Sequence, residues 1–353
     1  MAKKHKVLIL GGAGYVGGAL TDYISTLPDR DNFDVLIYDN LIFEESYGKP
    51  FRLIQEDVRE LSVLNHYLNW CDSCISLAAS VGDAASAIRP EVTYDLNVEV
   101  PKHIVKRLNG KRLVTISSCS VYGVNNDLIT EQTEPNPQSL YAVSKVLMER
   151  ELSGSNSLVI RLGTLYGISD RFSRLRLDLV VNTLVKSAYY DQLMRVFGGE
   201  QYRPILHVRD TSKVLWDGIT SNSERKGIYN LSAENVKIVE LAQGIQKFVP
   251  ASKLELTDIK TEDARNYRVD SQKAKDELSF NPKLSLADGI QEVLDLFVGK
   301  ELERAFMDTT FDPNDVRFWN HKWLGEHGEK LDFDKDYSEI LEKVKGLKLT
   351  SVT

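Results

Sequence analysis

Apolar positions in this chain fall into short, nearly continuous runs separated by stretches of helical spacing. Residues 7–10, 35–38, 51–55, 74–77, 112–117 and 158–161 form such runs. Runs of four to eight residues without polar alternation read as strands covered on both faces. Between them, residues 15–27, 61–68 and a segment from about Glu91 carry the three-and-four spacing of amphipathic helices. Pro101 falls inside the last of these. A proline costs about 3 kcal/mol in a helix interior, so a kink is predicted there, or a restart with Pro101 in the first turn. Strands alternating with helices predict an α/β fold, a doubly wound parallel sheet with its ligand crevice at the carboxyl ends of the strands.

Past residue 167 the alternation loosens. Residues 179–190 read as helix, and 203–210 as a strand leading into another helix. A strand is expected near 228–231, and helices at 238–248, 271–278 and 285–297. The chain therefore divides into a dinucleotide-binding part at 1–167, a smaller C-terminal α/β substrate-binding part at 168–300, and an extension at 301–353. Elements of the first two are expected to interleave after 167. Phe318, Trp319 and Trp323 in the polar extension are expected to bury against the body or a second subunit.

Composition narrows the picture. With 353 residues, 42% hydrophobic and 27% charged, the chain suits a soluble globular protein of about two domains. A net charge of −7 argues against nonspecific nucleic-acid binding, so any phosphate site must be a local cluster of Arg or Lys. No apolar run approaches membrane-spanning length, and residues 1–6 lead into the first strand without a signal-peptide core. The expectation is a cytoplasmic protein with no membrane contact. Three cysteines fit a reducing compartment. Cys71 and Cys74 have the spacing of a redox pair, but Cys74 opens a buried strand and four metal ligands cannot be gathered nearby. Two packed thiols and no metal site are expected.

The first strand breaks at Gly11, and glycines recur at Gly14 and Gly17 before the first helix. In a strand–turn–helix that meets a diphosphate, Gly11 makes the tight turn. Gly14 lets backbone approach the pyrophosphate, and Gly17 lets helix pack on strand. The phosphates would sit on free N–H groups at the helix start. The second strand ends in Asp39, roughly twenty residues beyond Gly17, where an acid accepts from the ribose hydroxyls and repels a 2′-phosphate. NAD is therefore expected over NADP. The small residues Leu77, Ala78 and Ala79 at the end of the fourth strand would let a dinucleotide lie close.

Tyr141 and Lys145 stand four apart, on one face of a predicted helix. A free phenol with a pKa of about 10 is a poor base at neutral pH, and a nearby ammonium favours phenolate. The motif gains weight from SSCSVYG at 117–123, which sets hydroxyls just after the fifth strand, at the same crevice. With the glycine loop, Asp39, Asp57-Val58, Asn97, RLGTLYG at 161–167 and RPILHVRD at 203–210, the chain from about Lys6 to Phe297 resembles the extended short-chain dehydrogenase/reductase family. The likeness is to its nucleotide-sugar epimerase/dehydratase branch.

That resemblance implies a Rossmann domain and a set of roles. Tyr141 would take the proton from a sugar hydroxyl, usually at C4, while hydride passes to the nicotinamide. Lys145 would bind the nicotinamide ribose and tune Tyr141, and Ser118 would hydrogen-bond the reacting oxygen. NAD would be held by Gly11, Gly14, Tyr15, Val16, Gly17, Asp39, Asn40, Asp57 and Val58. Leu77, Ala78, Ala79, Asn97, Ser117, Tyr141, Lys145 and Leu162 would complete its site. Val81, Ser118, Ser120, Thr164, Asn182, Arg203 and Arg265 would meet the nucleotide-diphosphate sugar. His207 reads as structural, and Arg171, Arg174 and Arg176 are either a solvated loop or a phosphate rim. A homodimer is the family's expectation.

Departures from the family pattern narrow the chemistry. The 4,6-dehydratases place an Asp-Glu pair directly after the catalytic hydroxyl residue to eliminate water, whereas this chain has Cys119 and Ser120. The decarboxylases' Glu is absent there too. Thr164 stands where many epimerases have an Asn. The leading expectation is an NAD-dependent C4 epimerase working through a keto intermediate. The alternative is a dehydrogenase that releases the 4-keto sugar, and segments such as 176–182 resemble a surface-polysaccharide subgroup that includes GDP-heptose C4 oxidases. A non-catalytic NAD-binding regulator would not need Tyr141, Lys145 and Ser118 together.

Overall fold

A central seven-stranded sheet follows from strands that leave no polar face for water. The computed structural model describes residues 3–43, 47–170, 175–220, 225–257, 265–299 and 312–347. In chain order the first elements are β1 (His5–Leu10), α1 (Tyr15–Thr26), β2 (Phe33–Asp39), β3 (Arg52–Gln55), α2 (Leu61–Trp70) and β4 (Ser73–Ser76). Then come α3 (Asp83–Ile88), α4 (Pro90–Tyr94), α5 (Val100–Leu108), β5 (Arg112–Ser118), β6 (Val124–Ile129), α6 (Leu140–Glu151) and β7 (Ser157–Leu162). A second lobe begins with β8 (Thr164–Tyr166), α7 (Val180–Lys186), β9 (Leu193–Phe197) and β10 (Tyr202–His207), and the chain returns to the central sheet through α8 (Ser212–Thr220) and β11 (Gly227–Leu231). Last are β12 (Glu234–Lys237), α9 (Ile238–Phe248), β13 (Lys253–Thr257), β14 (Asn266–Val269), α10 (Gln272–Leu278) and α11 (Leu286–Val298).

The sheet runs β11-β7-β5-β4-β1-β2-β3, with all six pairings parallel. Alternation along β1 shows why both faces are covered. Val7 and Ile9 enter one core with Leu20, Ile24 and Trp216, while Leu8 and Leu10 enter the other with Leu64, Leu68 and Ile104. The strand order reverses between β1 and β4, and that switch point opens the crevice. β11 is the seventh strand and α8 packs on β5 and β4. The nucleotide-binding layer thus crosses the break expected at 167, because the edge beside β7 still needs a parallel partner.

Proline 101 behaves as its chemistry requires. The backbone leaves α4 through a π turn at Asp95–Glu99 and restarts in α5, with Pro101 in the first turn, where a missing N–H costs little. Several short strands carry no signal readable from the sequence. β6 pairs with β14, β9 with β13, and β8 and β12 flank β10. Each is held by a distant partner, and most of β6 is exposed, with no alternation of apolar and polar residues to mark it. The thiols of Cys71 and Cys74 are free and buried, as packed side chains.

The extension crosses the body. Phe318 joins the second-lobe core beside Leu177, Val181 and Ile290, and Trp323 packs with Leu324 against Ala85 and Val92. Trp319 is partly buried against the same second-lobe core. No helix among the described residues is long and apolar enough to cross a membrane.

Candidate active site

The ends of β1, β2, β4 and β5 and the starts of α1 and α6 build the site. β1 turns at Gly11, which adopts φ +75°; a side chain there would meet the Ala78 backbone N at 2.5 Å. Leu77 and Ala78 both donate their N–H to the Leu10 carbonyl, at 2.8 and 3.1 Å, which draws the end of β4 against the turn. Gly17 is tighter still, since a Cβ would lie 2.4 Å from the Gly11 carbonyl. At Gly14 the nearest atom to such a Cβ is 3.5 Å away, so this part of the loop keeps an open face. The Asp39 carboxylate accepts from Ala13 N at 3.0 Å and Leu41 N at 2.9 Å, one oxygen each. Burial raises its pKa, and those two N–H groups oppose the rise. An acceptor at the end of β2 and an open N–H cradle at the start of α1 fit a dinucleotide.

Asp57, beyond β3, pairs with Arg59 at 2.9 Å and accepts from Asn40 Nδ2 at 3.0 Å. Burial alone would raise its pKa, but Arg59 and Asn40 outweigh it and hold the carboxyl below its ordinary value. Val58 and Leu162 are buried, while Val16, Ala79 and Thr164 are half-buried.

Ser139 caps α6, accepting from Ala142 N at 3.2 Å, so Tyr141 lies in the first turn and Lys145 one turn on. The Ser118 hydroxyl acts on the Tyr141 phenol and favours its ionised form. Ser118 Oγ also accepts from Ser120 N at 3.1 Å, which fixes the turn after β5. Lys145 is buried, donates to the Ile116 carbonyl at 3.1 Å, and places Nζ 5.9 Å from the centre of the Tyr141 ring. Burial pushes the Tyr141 phenol up to about 12, with Ser118, Arg176 and Arg265 pulling it down and Asp83 pushing it up. Burial also drives the Lys145 ammonium itself down to about 8, opposed by Glu149.

Several residues expected to meet a ligand also make internal hydrogen bonds. Asn97 Oδ1 accepts from Ser80 N at 2.9 Å, and its Nδ2 donates to Ser80 O and Ser144 Oγ, both at 2.9 Å. The Asn182 amide bonds both Gly167 N at 3.0 Å and Gly167 O at 3.2 Å, and also Arg176 O at 2.8 Å. Tyr15 donates to Gly167 O at 2.7 Å, and Ser117 to Glu149 at 2.6 Å beside the Glu149–Arg161 pair. Each of these four is buried, and a buried polar group must be satisfied from within. Those bonds position the neighbouring backbone and side chains. Arg203 donates to the Arg265 carbonyl, and Arg265 pairs with Asp83 at 3.3 Å. His207 is fully buried between Glu292 and the Arg209 N–H, a structural placement.

The structure also brings in groups that sequence reasoning missed or left open. Asp83 accepts from Ser139 at 2.6 Å and faces Tyr141 electrostatically. Arg176 grips Asp178 through two bonds of 2.9 and 3.0 Å, and its charge acts on the phenols of both Tyr15 and Tyr141. Arg171 and Arg174 lie outside the described residues, as do Glu262, Asp263 and Ala264. Where a general acid–base pair would follow Ser118, Cys119 is buried with its thiol toward the Arg161 carbonyl at 3.4 Å. Burial raises that thiol far above its ordinary pKa. Ser120 Oγ is buried without a hydrogen-bond partner among the described residues. No group of three metal-ligating side chains gathers among the described residues.

The chain matches the NAD dependent epimerase/dehydratase family over residues 7–232. UDP-glucuronic acid decarboxylase 1 of Arabidopsis thaliana is 26% identical over 322 residues, spanning 84% of this chain and 70% of that protein. dTDP-glucose 4,6-dehydratase of Escherichia coli is 25% identical over 366 residues, spanning 87% of this chain and 97% of that one. The UDP-glucuronic acid 4-epimerase of Bacillus cereus, solved with UDP-glucuronic acid and NAD, has the same fold. Its TM-score is 0.71 at 21% identity, with 82% of this chain and 99% of that one covered. A glycine cradle, an acid ending β2 and a Ser118–Tyr141–Lys145 cluster at the switch point agree with that match, and this enzyme belongs to the NAD-dependent epimerase/dehydratase family.

Proposed function

We propose that this enzyme epimerises a nucleotide-diphosphate sugar at C4, through a 4-keto intermediate that is reduced again before release. The carrying observation is the pairing of Tyr141 and Ser118 next to two positions, Cys119 and Ser120, that hold no acid or base. NAD, held by the glycine cradle, Asp39 and Lys145, supplies the hydride acceptor and donor. Ser118 orients the sugar oxygen. Tyr141 accepts its proton on oxidation and returns one on reduction. Lys145 brings a cation beside the phenol, and Arg203 and Arg265 offer the local positive charge that an acidic chain needs for a diphosphate. After oxidation at C4, loss of water across C5–C6 needs a base at C5 and an acid at the C6 oxygen. A buried thiol and a serine hydroxyl are far too weak for either task at neutral pH. Asp83, the carboxylate that faces Tyr141, is committed to Ser139 and Arg265.

The test is to incubate the enzyme with NAD and a panel of UDP-, GDP-, CDP- and dTDP-sugars and to analyse products by mass spectrometry and NMR. An epimer of unchanged mass is expected from the accepted sugar. A main product lighter by one water would overturn the reading. Accumulation of keto sugar with matching NADH would assign the C4 dehydrogenase instead.

A further inference from the structure

The extension ends up at the chemistry, although it lies beyond the residues that match the family. Leu177 N donates to the Phe318 carbonyl at 3.0 Å, which lays the extension alongside the 175–178 segment. The next contacts come from Asn320, buried at the start of the helix Asn320–Glu326. Its backbone N–H donates to Asp178 Oδ2 at 3.0 Å, the oxygen that also receives Arg176 Nη2. Its side-chain Nδ2 donates to the Val81 carbonyl at 3.2 Å, in the loop after β4. One residue therefore ties together two segments that flank the crevice. Farther along, Trp323 Nε1 donates to the Ile42 carbonyl at 3.0 Å, and the Leu331 carbonyl accepts from Arg59 at 2.9 Å, beside Asp57. The extension thus touches both the adenine end and the reacting end of the site.

Arg176 is the group this arrangement sets. Asp178 fixes its Nε and Nη2, while Nη1 makes no hydrogen bond among the described residues. A bidentate carboxylate holds a guanidinium in one plane, so a shift of Asp178 moves the Arg176 charge relative to Tyr141. We propose that Asn320 is a positioning residue of the active site, holding the Arg176–Asp178 pair beside Tyr141 and the Val81 loop in register with it. Arg176 then presents its outer nitrogen to the oxygens of the bound sugar. This rests on Tyr141 as the acid–base group.

Two variants separate the two bonds. Asn320→Ala removes only the amide to Val81. Asn320→Pro also removes the N–H to Asp178, at a first helical position where proline fits. Ile340→Ala, in the buried contact of the last helix, loosens the extension away from the site. Steady-state kinetics on the accepted sugar, NAD titration and thermal melting are measured for each, together with Arg176→Lys and the Asn320→Pro/Arg176→Lys double variant. Expected are a kcat loss of several-fold for Asn320→Ala and more than tenfold for Asn320→Pro, with NAD affinity within about twofold. Ile340→Ala should melt earlier yet keep kcat. The double variant should be slower than Arg176→Lys alone only by the several-fold seen in Asn320→Ala, since the rest of the Asn320→Pro loss acts through Arg176. Unchanged kcat in Asn320→Pro, or losses that simply multiply, would overturn the proposal. Tyr141→Phe run in parallel keeps the two readings apart: if it stays active the acid–base assignment fails, and if it is inactive while Asn320→Pro is normal only the positioning role fails.

Discussion

Ser118 and Tyr141 come together at the carboxyl end of the sheet, one from the turn after β5 and the other from the first turn of α6, and the Ser118 hydroxyl favours ionisation of the Tyr141 phenol. In the proposed reaction a sugar hydroxyl would meet both groups at once, one to orient it and one to take its proton. Tyr141→Phe removes a single oxygen. Turnover should fall by about 10²–10⁴-fold, while NAD titration and substrate binding stay close to normal. Near-full activity in this variant would move the acid–base role elsewhere.

Asp39 is expected to set cofactor choice through its charge. A carboxylate at the end of β2 accepts from ribose hydroxyls and repels a phosphate on the 2′ oxygen. NAD should bind well ahead of NADP, and Asp39→Ala should narrow the gap mainly by weakening NAD. The loss should also loosen the loop, because both oxygens hold backbone N–H groups of Ala13 and Leu41. Equal affinities in the unaltered enzyme would contradict this.

Lys145 costs the NAD-free fold stability. Its pKa falls from 10.5 to about 8 on folding, so between those values the unfolded chain binds more protons and stability rises with pH. Below about pH 8 the cost is present in full, on the order of 3 kcal/mol at about 1.4 kcal/mol per pH unit. Lys145→Met should therefore be more stable than the unaltered enzyme at pH 7 in urea denaturation, although catalytically impaired. That advantage should shrink by pH 10. A variant less stable at pH 7 would show that the bond to Ile116 outweighs desolvation.

Gly17 is a packing requirement. A methyl group there would lie within 2.6 Å of Gly12 backbone atoms, and backbone cannot yield as a side-chain tip can. Gly17→Ala should cost about 3 kcal/mol and weaken NAD binding by displacing the start of α1. Equilibrium unfolding with and without NAD measures both, and a loss under about 1 kcal/mol would mean the loop shifts freely.

Much of this was legible in the sequence because it depends on local periodicity. The all-apolar run of β1 requires cover on both faces, and α1 and α2 supply it. The glycine spacing at 11, 14 and 17 encodes a turn that a side chain would block. The four-residue step from Tyr141 to Lys145 fixes their common face wherever α6 lies, and Pro101 forces a restart in any helix. These are relations between residues a few positions apart, so backbone geometry alone carries them.

Tertiary structure decided the rest. Sequence could not show that Asn97, Asn182 and Ser117 spend their polar groups inside the protein, because that depends on Ser80, Gly167 and Glu149 arriving beside them. Nor could it show that Lys145 sits dry enough to lose its proton near pH 8, since desolvation is a property of assembled surfaces. Asp83 and Arg176 come from separate stretches of chain and bring their charges to bear on Tyr141 only once the sheet and the second lobe pack together. Short-range pattern specifies the elements and the faces they must bury. Long-range hydrogen bonding and burial determine which polar groups remain available for chemistry.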